Sequence, residues 1–383
     1  MSEQKYKQAA RIIQKIGFLP FPINETFMDI IKTLVNEDEL DFVLAFRRNA
    51  SQTMEQLLKS TKGAMNEEEI ERKANSLAKK GIIFNQPNSQ GVMVYRLLPL
   101  IMVGVFEYVF MKKIEFTEKE KKLAELFHKL LFIDFKDLVQ KEYDTIVPFF
   151  KTLKPFDRTI PILDKNVSGK EVDIVVDEDV EVGQEKIITA QNVEELIEKF
   201  DDITVAHCFC RQHQDLLGNP CKFDAPRENC FTFGKSARHV ANHGFGRKVS
   251  KEEALKIMKE AEDYGLVHKA FHTHSDISKI ETSVCNCCQD CCGTFLMYRQ
   301  GLMATINASD YLSNVNEELC NGCGICVEKC PLDVIELNDD NKAEVKKDYC
   351  IGCGLCAHFC PENAISLVEK QRTVYYPPPR IKN

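Results

Sequence analysis

Seventeen cysteines stand in a chain of 383 residues, and all of them fall between Cys208 and Cys360. Thiols can pair as disulfides, attack as nucleophiles or bind metals, and the compartment decides among these. The first residues, MSEQKYKQAA, lack the apolar stretch of a signal peptide. The longest apolar run, 97–106, is interrupted by Pro99 and Gly104 and falls well short of the roughly 20 residues that cross a bilayer. The expectation is a cytoplasmic chain with no membrane span, where thiols stay reduced. Clustered cysteines then read as metal ligands or catalytic groups.

The most regular cluster is Cys320-x-x-Cys323-x-x-Cys326-x-x-x-Cys330-Pro331, which returns as Cys350-x-x-Cys353-x-x-Cys356-x-x-x-Cys360-Pro361. This doubled pattern resembles the signature of bacterial-type ferredoxins, in which the fourth cysteine of each run ligates the other cluster. The resemblance implies two [4Fe–4S] clusters. One would be held by Cys320, Cys323, Cys326 and Cys360, the other by Cys350, Cys353, Cys356 and Cys330. Thiolates two residues apart can grip one body only if the backbone curls tightly. Gly322, Gly324, Gly352 and Gly354 permit that curl and bring N–H groups toward sulfur. Cys-x-x-Cys pairs also hold zinc, but two complete symmetric copies argue for clusters.

Residues 314–370 contain eleven acidic and five basic side chains, a net −6 of the chain's −8. Thiolate-bound clusters add more negative charge, so a low-potential two-cluster module is expected. Its redox partner protein should present a basic docking face. The overall negative charge disfavours a general nucleic-acid surface.

Nine cysteines remain. Cys208, Cys210, Cys221 and Cys230 form a spread group opening at His207-Cys208-Phe209-Cys210-Arg211, and Cys285, Cys287, Cys288, Cys291 and Cys292 a compact one. Cys208 and Cys210 follow an expected strand, where alternate side chains share a face. Helical spacing would align Cys287 with Cys291, and Cys288 with Cys291 and Cys292. So many free thiols would be vulnerable to oxidation, and ligation explains them. They could hold one or more further iron–sulfur clusters, or one larger cluster. Zinc is the alternative, with Cys208, Cys210, Cys221 and Cys230 as a four-thiolate site. His207, His213, His272 and His274 are possible ligands or proton donors, against a packing role for each. Arg211, Lys222, Arg227, Lys235, Arg238, His239, Arg247 and Lys248 could offset cluster charge or bind an anion.

The elements that must position these groups are legible in part. Residues 1–35 read as helical. Three helices, around 40–44, 53–60 and 67–80, precede a hairpin across Pro87–Gly91, an order resembling a winged-helix domain over about 37–98. Glu67, Glu68, Glu69 and Glu71 open the third helix and would repel phosphate, which favours protein docking or oligomerisation over DNA binding. Thr117 with Glu120 opens a helix running to about Val139. Strands at 159–163, 172–176, 186–189 and 204–206 and a helix at 193–200 lead to the first cysteines. Ser250 with Glu253 opens another helix, which closes at Gly265.

The fold class expected is α+β: a helical domain over 1–150, a cysteine-rich metal-binding domain over 151–312, a double ferredoxin domain over 313–370 and a tail, 371–383. The Cys-x-Cys-Arg segment, Gly265-Leu266-Val267-His268, Cys285-Asn286-Cys287-Cys288-x-x-Cys291-Cys292 and the terminal repeats together resemble [4Fe–4S] dicluster-domain proteins of anaerobes over about 160–370. Cys291-Cys292-Gly293 is similar to the Cys-Cys-Gly motif of heterodisulfide-reductase-type subunits, but the long-range spacing differs. The resemblance implies electron transfer between the two-cluster module and the upstream site, serving a partner oxidoreductase in anaerobic metabolism. The alternatives are a reductase whose upstream site is catalytic, and a redox-sensing winged-helix regulator. No Gly-x-Ser-x-Gly or phosphate-loop pattern is present.

Overall fold

The structure is a computed structural model that describes residues 2–17, 19–153, 155, 157–163, 167–170, 192–272, 280–303, 306–370 and 374–381. The strands expected at 172–176 and 186–189, and His274, lie outside these. The fold is α+β, and it divides into two compact units, each assembled from separate stretches of chain. Among the described residues no helix is long and apolar enough to cross a membrane.

The first unit comprises 1–143, 204–221 and 234–248. Helices Ser2–Ile16, Glu25–Leu34 and Leu40–Leu44 precede strand Ser51–Thr53, helices Met54–Ser60 and Glu67–Lys79, and the hairpin Ile83–Pro87/Met93–Leu97. The last strand lies between the other two, antiparallel to both. Helix Glu67–Lys79 starts because the Asn66 side chain caps Glu69 N–H. It buries Ile70, Ala74, Leu77 and Ala78 at helical spacing, while Glu67, Glu68 and Glu69 stay exposed in its first turn. The helix expected over 117–139 is capped by Thr117, but it widens into a π turn over Leu130–Phe135 before resuming at Lys136. Leu130, Leu131, Phe132 and Phe135 are all buried there. A regular 3.6-residue period would turn part of that set to solvent, and the extra residue of a π turn avoids this.

The second unit comprises 144–203, 222–233 and 249–383. Strands Asp157–Ile160, Val267–His272, Glu281–Cys287 and Glu228–Phe233 lie side by side in that order, antiparallel throughout. Register places Lys269 between Thr159 on one side and Cys285 on the other. Helix Lys251–Asp263, capped by Ser250, ends beside a polar chain in which Glu262 faces His268 at 3.3 Å and His268 faces Asn286 at 2.5 Å. The C-terminal part builds two small pairings. Tyr311–Val315 runs antiparallel to Ile365–Glu369, which also pairs in parallel with Val167–Lys170. Ile335–Leu337 pairs with Ala343–Val345.

Candidate metal centres

Each C-terminal repeat wraps its first three cysteines around a tight loop that runs into a short helix, Ile325–Lys329 or Leu355–His358. The loops depend on glycine for two separate reasons. Gly322 and Gly324 have φ of 73° and 77°, the left-handed region that side chains disfavour. At Gly322 a Cβ would also stand 2.2 Å from the Asn341 carbonyl, and at Gly352 one would stand 2.1 Å from the Tyr311 carbonyl. The second loop is braced from outside: Cys353 O accepts from Ile162 N–H at 3.0 Å, and Gly352 O accepts from Ser309 Oγ at 2.8 Å.

Two cavities result. One is lined by Cys320, Cys323, Cys326 and Cys360, the other by Cys330, Cys350, Cys353 and Cys356. The donor chemistry fits iron–sulfur clusters. Backbone N–H groups point at sulfur in both: Ala343 to Cys320 at 3.4 Å, Ala364 to Cys360 at 3.3 Å, Val334 to Cys330 at 3.4 Å and Gly352 to Cys350 at 3.4 Å. Such donors favour the ionised sulfur that metals require. Without a metal, burial reinforced by neighbouring thiols opposes that ionisation, pushing Cys326 up to about 11 and Cys356 up to about 12. The two cavities differ in access. Cys323 is exposed and Cys320 half-buried, whereas Cys330, Cys350, Cys353 and Cys356 are all buried.

The compact upstream cysteines lie on a strand, a turn and a helix start rather than along one helix. Cys285 and Cys287 are two apart on strand Glu281–Cys287 and so share a face. A single turn follows, closed by Cys292 N–H on Cys288 O at 3.2 Å, and Cys292 stands just before helix Gly293–Arg299. Strand geometry wins over helical spacing because Glu281–Cys287 is flanked by partner strands on both sides. Cys287 and Cys292 pack with Cys353 in one apolar cluster that also includes Val267, Phe295, Ile351 and Leu355, with Cys285 against its edge. The upstream thiols therefore adjoin the deeper of the two C-terminal cavities.

The remaining thiols of the turn face elsewhere. Cys288 and Cys291 are both buried. Lys222, next to Cys221, is held by Asp290, which accepts its backbone N–H at 3.0 Å, and Asp290 N–H donates to Cys288 Sγ at 3.4 Å. Arg299 and Gln289 tie this turn to the carbonyls of Pro331 and Glu328. A cleft between Phe223, Tyr264 and Lys329 is lined in part by Cys288, which is itself buried.

Cys208 and Cys210 sit at the start of helix Phe209–Leu216, not on the preceding strand Ile203–His207. Cys230 is buried on strand Glu228–Phe233. His213 is a packing residue: its ring meets Phe106 edge-on and Phe110 at a tilt, and its Nε2 lies 3.0 Å from Ala124 O. Burial pulls its pKa down to about 4. His239, packed on Phe84 and His243, is pulled down to about 3 for the same reason. His272 and Arg211 are buried. Lys269 escaped the sequence reading because nothing in the mixed strand Val267–His272 marks it as buried. It is 1% exposed and forms a 2.7 Å ion pair with Asp157, itself 0% exposed.

This geometry belongs to a class of small iron–sulfur electron carriers. Residues 313–367 match the 4Fe-4S dicluster domain family, and this part of the chain is such a domain, a ferredoxin-like carrier of two [4Fe–4S] clusters. Among curated proteins, the chain is 53% identical to a protein named "Probable ferredoxin" of Methanosarcina thermophila over 34 residues, 9% of this chain and 59% of that protein. It is 40% identical over 52 residues to Protein Pixie of Drosophila melanogaster, 13% of this chain and 8% of the other. No solved structure matches significantly.

Proposed function

We propose that the protein transfers electrons between a redox partner and an upstream metal centre, by way of the C-terminal two-cluster domain, in the service of a partner oxidoreductase of anaerobic metabolism. The observation that carries this is the shared apolar cluster of Cys287, Cys292 and Cys353, which sets thiols of the upstream group against a residue lining the inner C-terminal cavity. When bound, [4Fe–4S] clusters accept and release single electrons. Cys320, Cys323, Cys326 and Cys360 would hold the outer one, and Cys330, Cys350, Cys353 and Cys356 the inner. The exposed Cys323 corner then faces the partner. Its surroundings, including Glu317, Glu318 and Glu362, suit a basic docking face. Leu319 and Leu337, 52% and 36% exposed, add apolar contact near that rim.

Anaerobic metal analysis joined to an EPR-monitored redox titration tests the proposal. Metal beyond the about eight irons of two clusters, and a third redox transition lost in Cys287→Ser/Cys292→Ser, are expected. About eight irons with two transitions in the unaltered protein would overturn the relay. The cleft at Cys288 favours a second reading, in which the upstream site itself reduces a small substrate. Filling it by Gly265→Trp would then abolish turnover while leaving partner-driven reduction of the clusters intact.

A further inference from the structure

A fully buried ion pair is an expensive way to fill space, because two ions lose their water and an apolar pair of similar volume packs as well or better. Lys269 and Asp157, 1% and 0% exposed and 2.7 Å apart, make such a pair in the sheet of the second unit. Asn307 fixes the carboxylate from its other side, Nδ2 donating to Oδ1 at 2.6 Å. Packing alone does not call for a lysine here, so the surroundings of its ammonium group must.

The neighbouring strand brings cysteines alongside it. Antiparallel register sets Lys269 directly opposite Cys285, and Val267, two residues back on the same face, opposite Cys287. Burial raises the pKa of Asp157, and Lys269, Asn307 and His272 work against it by favouring the carboxylate. The ammonium thus stands between a carboxylate and the upstream thiols, a fixed positive charge on one side of the centre they form.

We infer that Lys269 sets the direction of electron flow by raising the reduction potential of the centre at Cys285, Cys287 and Cys292 above that of the C-terminal clusters. An added electron increases the negative charge on a thiolate-bound centre, and a buried cation beside it stabilises the reduced form. The C-terminal domain lies in the opposite field, at net −6 over 314–370. One electron then leaves the inner C-terminal cluster, which is oxidised, and reduces the upstream centre; no bond forms or breaks. The redox partner supplies the electron. Lys269 touches no reacting atom and acts as a positioning residue for charge.

The inference rests on the proposed relay, and opposite substitutions separate the two. In an EPR-monitored titration of the full chain, Lys269→Met should lower the upstream potential by at least tenfold in the reduction equilibrium, 59 mV for a one-electron couple. Asp157→Asn keeps the Asn307 contact, removes the carboxylate's negative charge, and should raise the potential. Lys269→Arg should restore most of the native value. A merely structural pair would weaken folding in both variants without moving the potential in opposite senses. If Lys269→Met does not fold, the Asp157→Asn shift and the Lys269→Arg value still decide. An upstream transition present but unmoved by both overturns the role of Lys269 alone. Absence of any upstream transition in the unaltered protein overturns the relay and this inference together.

Discussion

Gly322 and Gly324 offer a controlled comparison inside one loop. Both have left-handed backbone, φ 73° and 77°, so alanine at either incurs the same conformational penalty of roughly 1–2 kcal/mol. They differ in space. A Cβ on Gly324 meets nothing within 4 Å, whereas on Gly322 it stands 2.2 Å from Asn341 O and 2.3 Å from Asn341 Nδ2. Asn341 cannot step aside freely: it has φ of 57° and its N–H donates to Asn338 O at 2.9 Å in the turn joining Ile335–Leu337 to Ala343–Val345. Relieving such an overlap costs about 1–3 kcal/mol more, giving about 2–5 kcal/mol for Gly322→Ala. The turn also leads into Ala343, whose N–H reaches Cys320 Sγ, so the damage falls on the cavity lined by Cys320, Cys323, Cys326 and Cys360. Anaerobic iron analysis and EPR after reconstitution should show Gly324→Ala retaining both clusters and Gly322→Ala losing chiefly the outer one. Equal iron content and equal urea midpoints for the two variants would refute the steric reasoning.

Further outcomes follow from the same geometry. His213 has its folded pKa near 4 against 6.5, so the unfolded chain takes up the proton first. The stability it guards is present above pH 6.5 and lost toward pH 4, about 3 kcal/mol in all; urea midpoints should fall over that window less steeply in His213→Asn. Glu317→Lys/Glu318→Lys should slow oxidation of the reduced protein by a basic c-type cytochrome about 10-fold at low ionic strength and flatten its salt dependence, as measured by stopped flow. Asp290→Ala releases the backbone of Lys222 and should lower upstream metal content while iron in the C-terminal domain is unchanged, which elemental analysis resolves.

What the sequence disclosed and what it withheld divide along physical lines. The cysteine repeats, the glycines within them and the capping residues Asn66, Thr117 and Ser250 act over a few residues, and spacing alone reveals them. The hairpin at Ile83–Leu97 was legible for the same reason, since its turn and its strands are contiguous. Features set by distant partners were not. Whether Cys285–Cys292 forms a strand or a helix depends on Val267–His272 and Glu228–Phe233 lying alongside. Cys208 and Cys210 follow a strand as expected, but the helix begins at once, so their side chains do not alternate. The π turn at Leu130–Phe135 answers to the core it faces. Lys269 could be picked out only once register placed it opposite Cys285, because a lysine among the histidines of Val267–His272 resembles any edge residue until its neighbours are known.

The crossing of ligands between the two repeats has a consequence for biosynthesis. Cys360 lines the cavity begun by Cys320, and Cys330 lines the cavity that waits for Cys350, Cys353 and Cys356. A chain emerging from the ribosome therefore completes neither cavity halfway through the domain. The inner one has all its cysteines once residue 356 is free and the outer one at residue 360, so the two close nearly together. Cluster loading is in this sense an all-or-none event late in the domain's synthesis, and a nascent chain stalled between the repeats would expose four thiols with no cavity of their own.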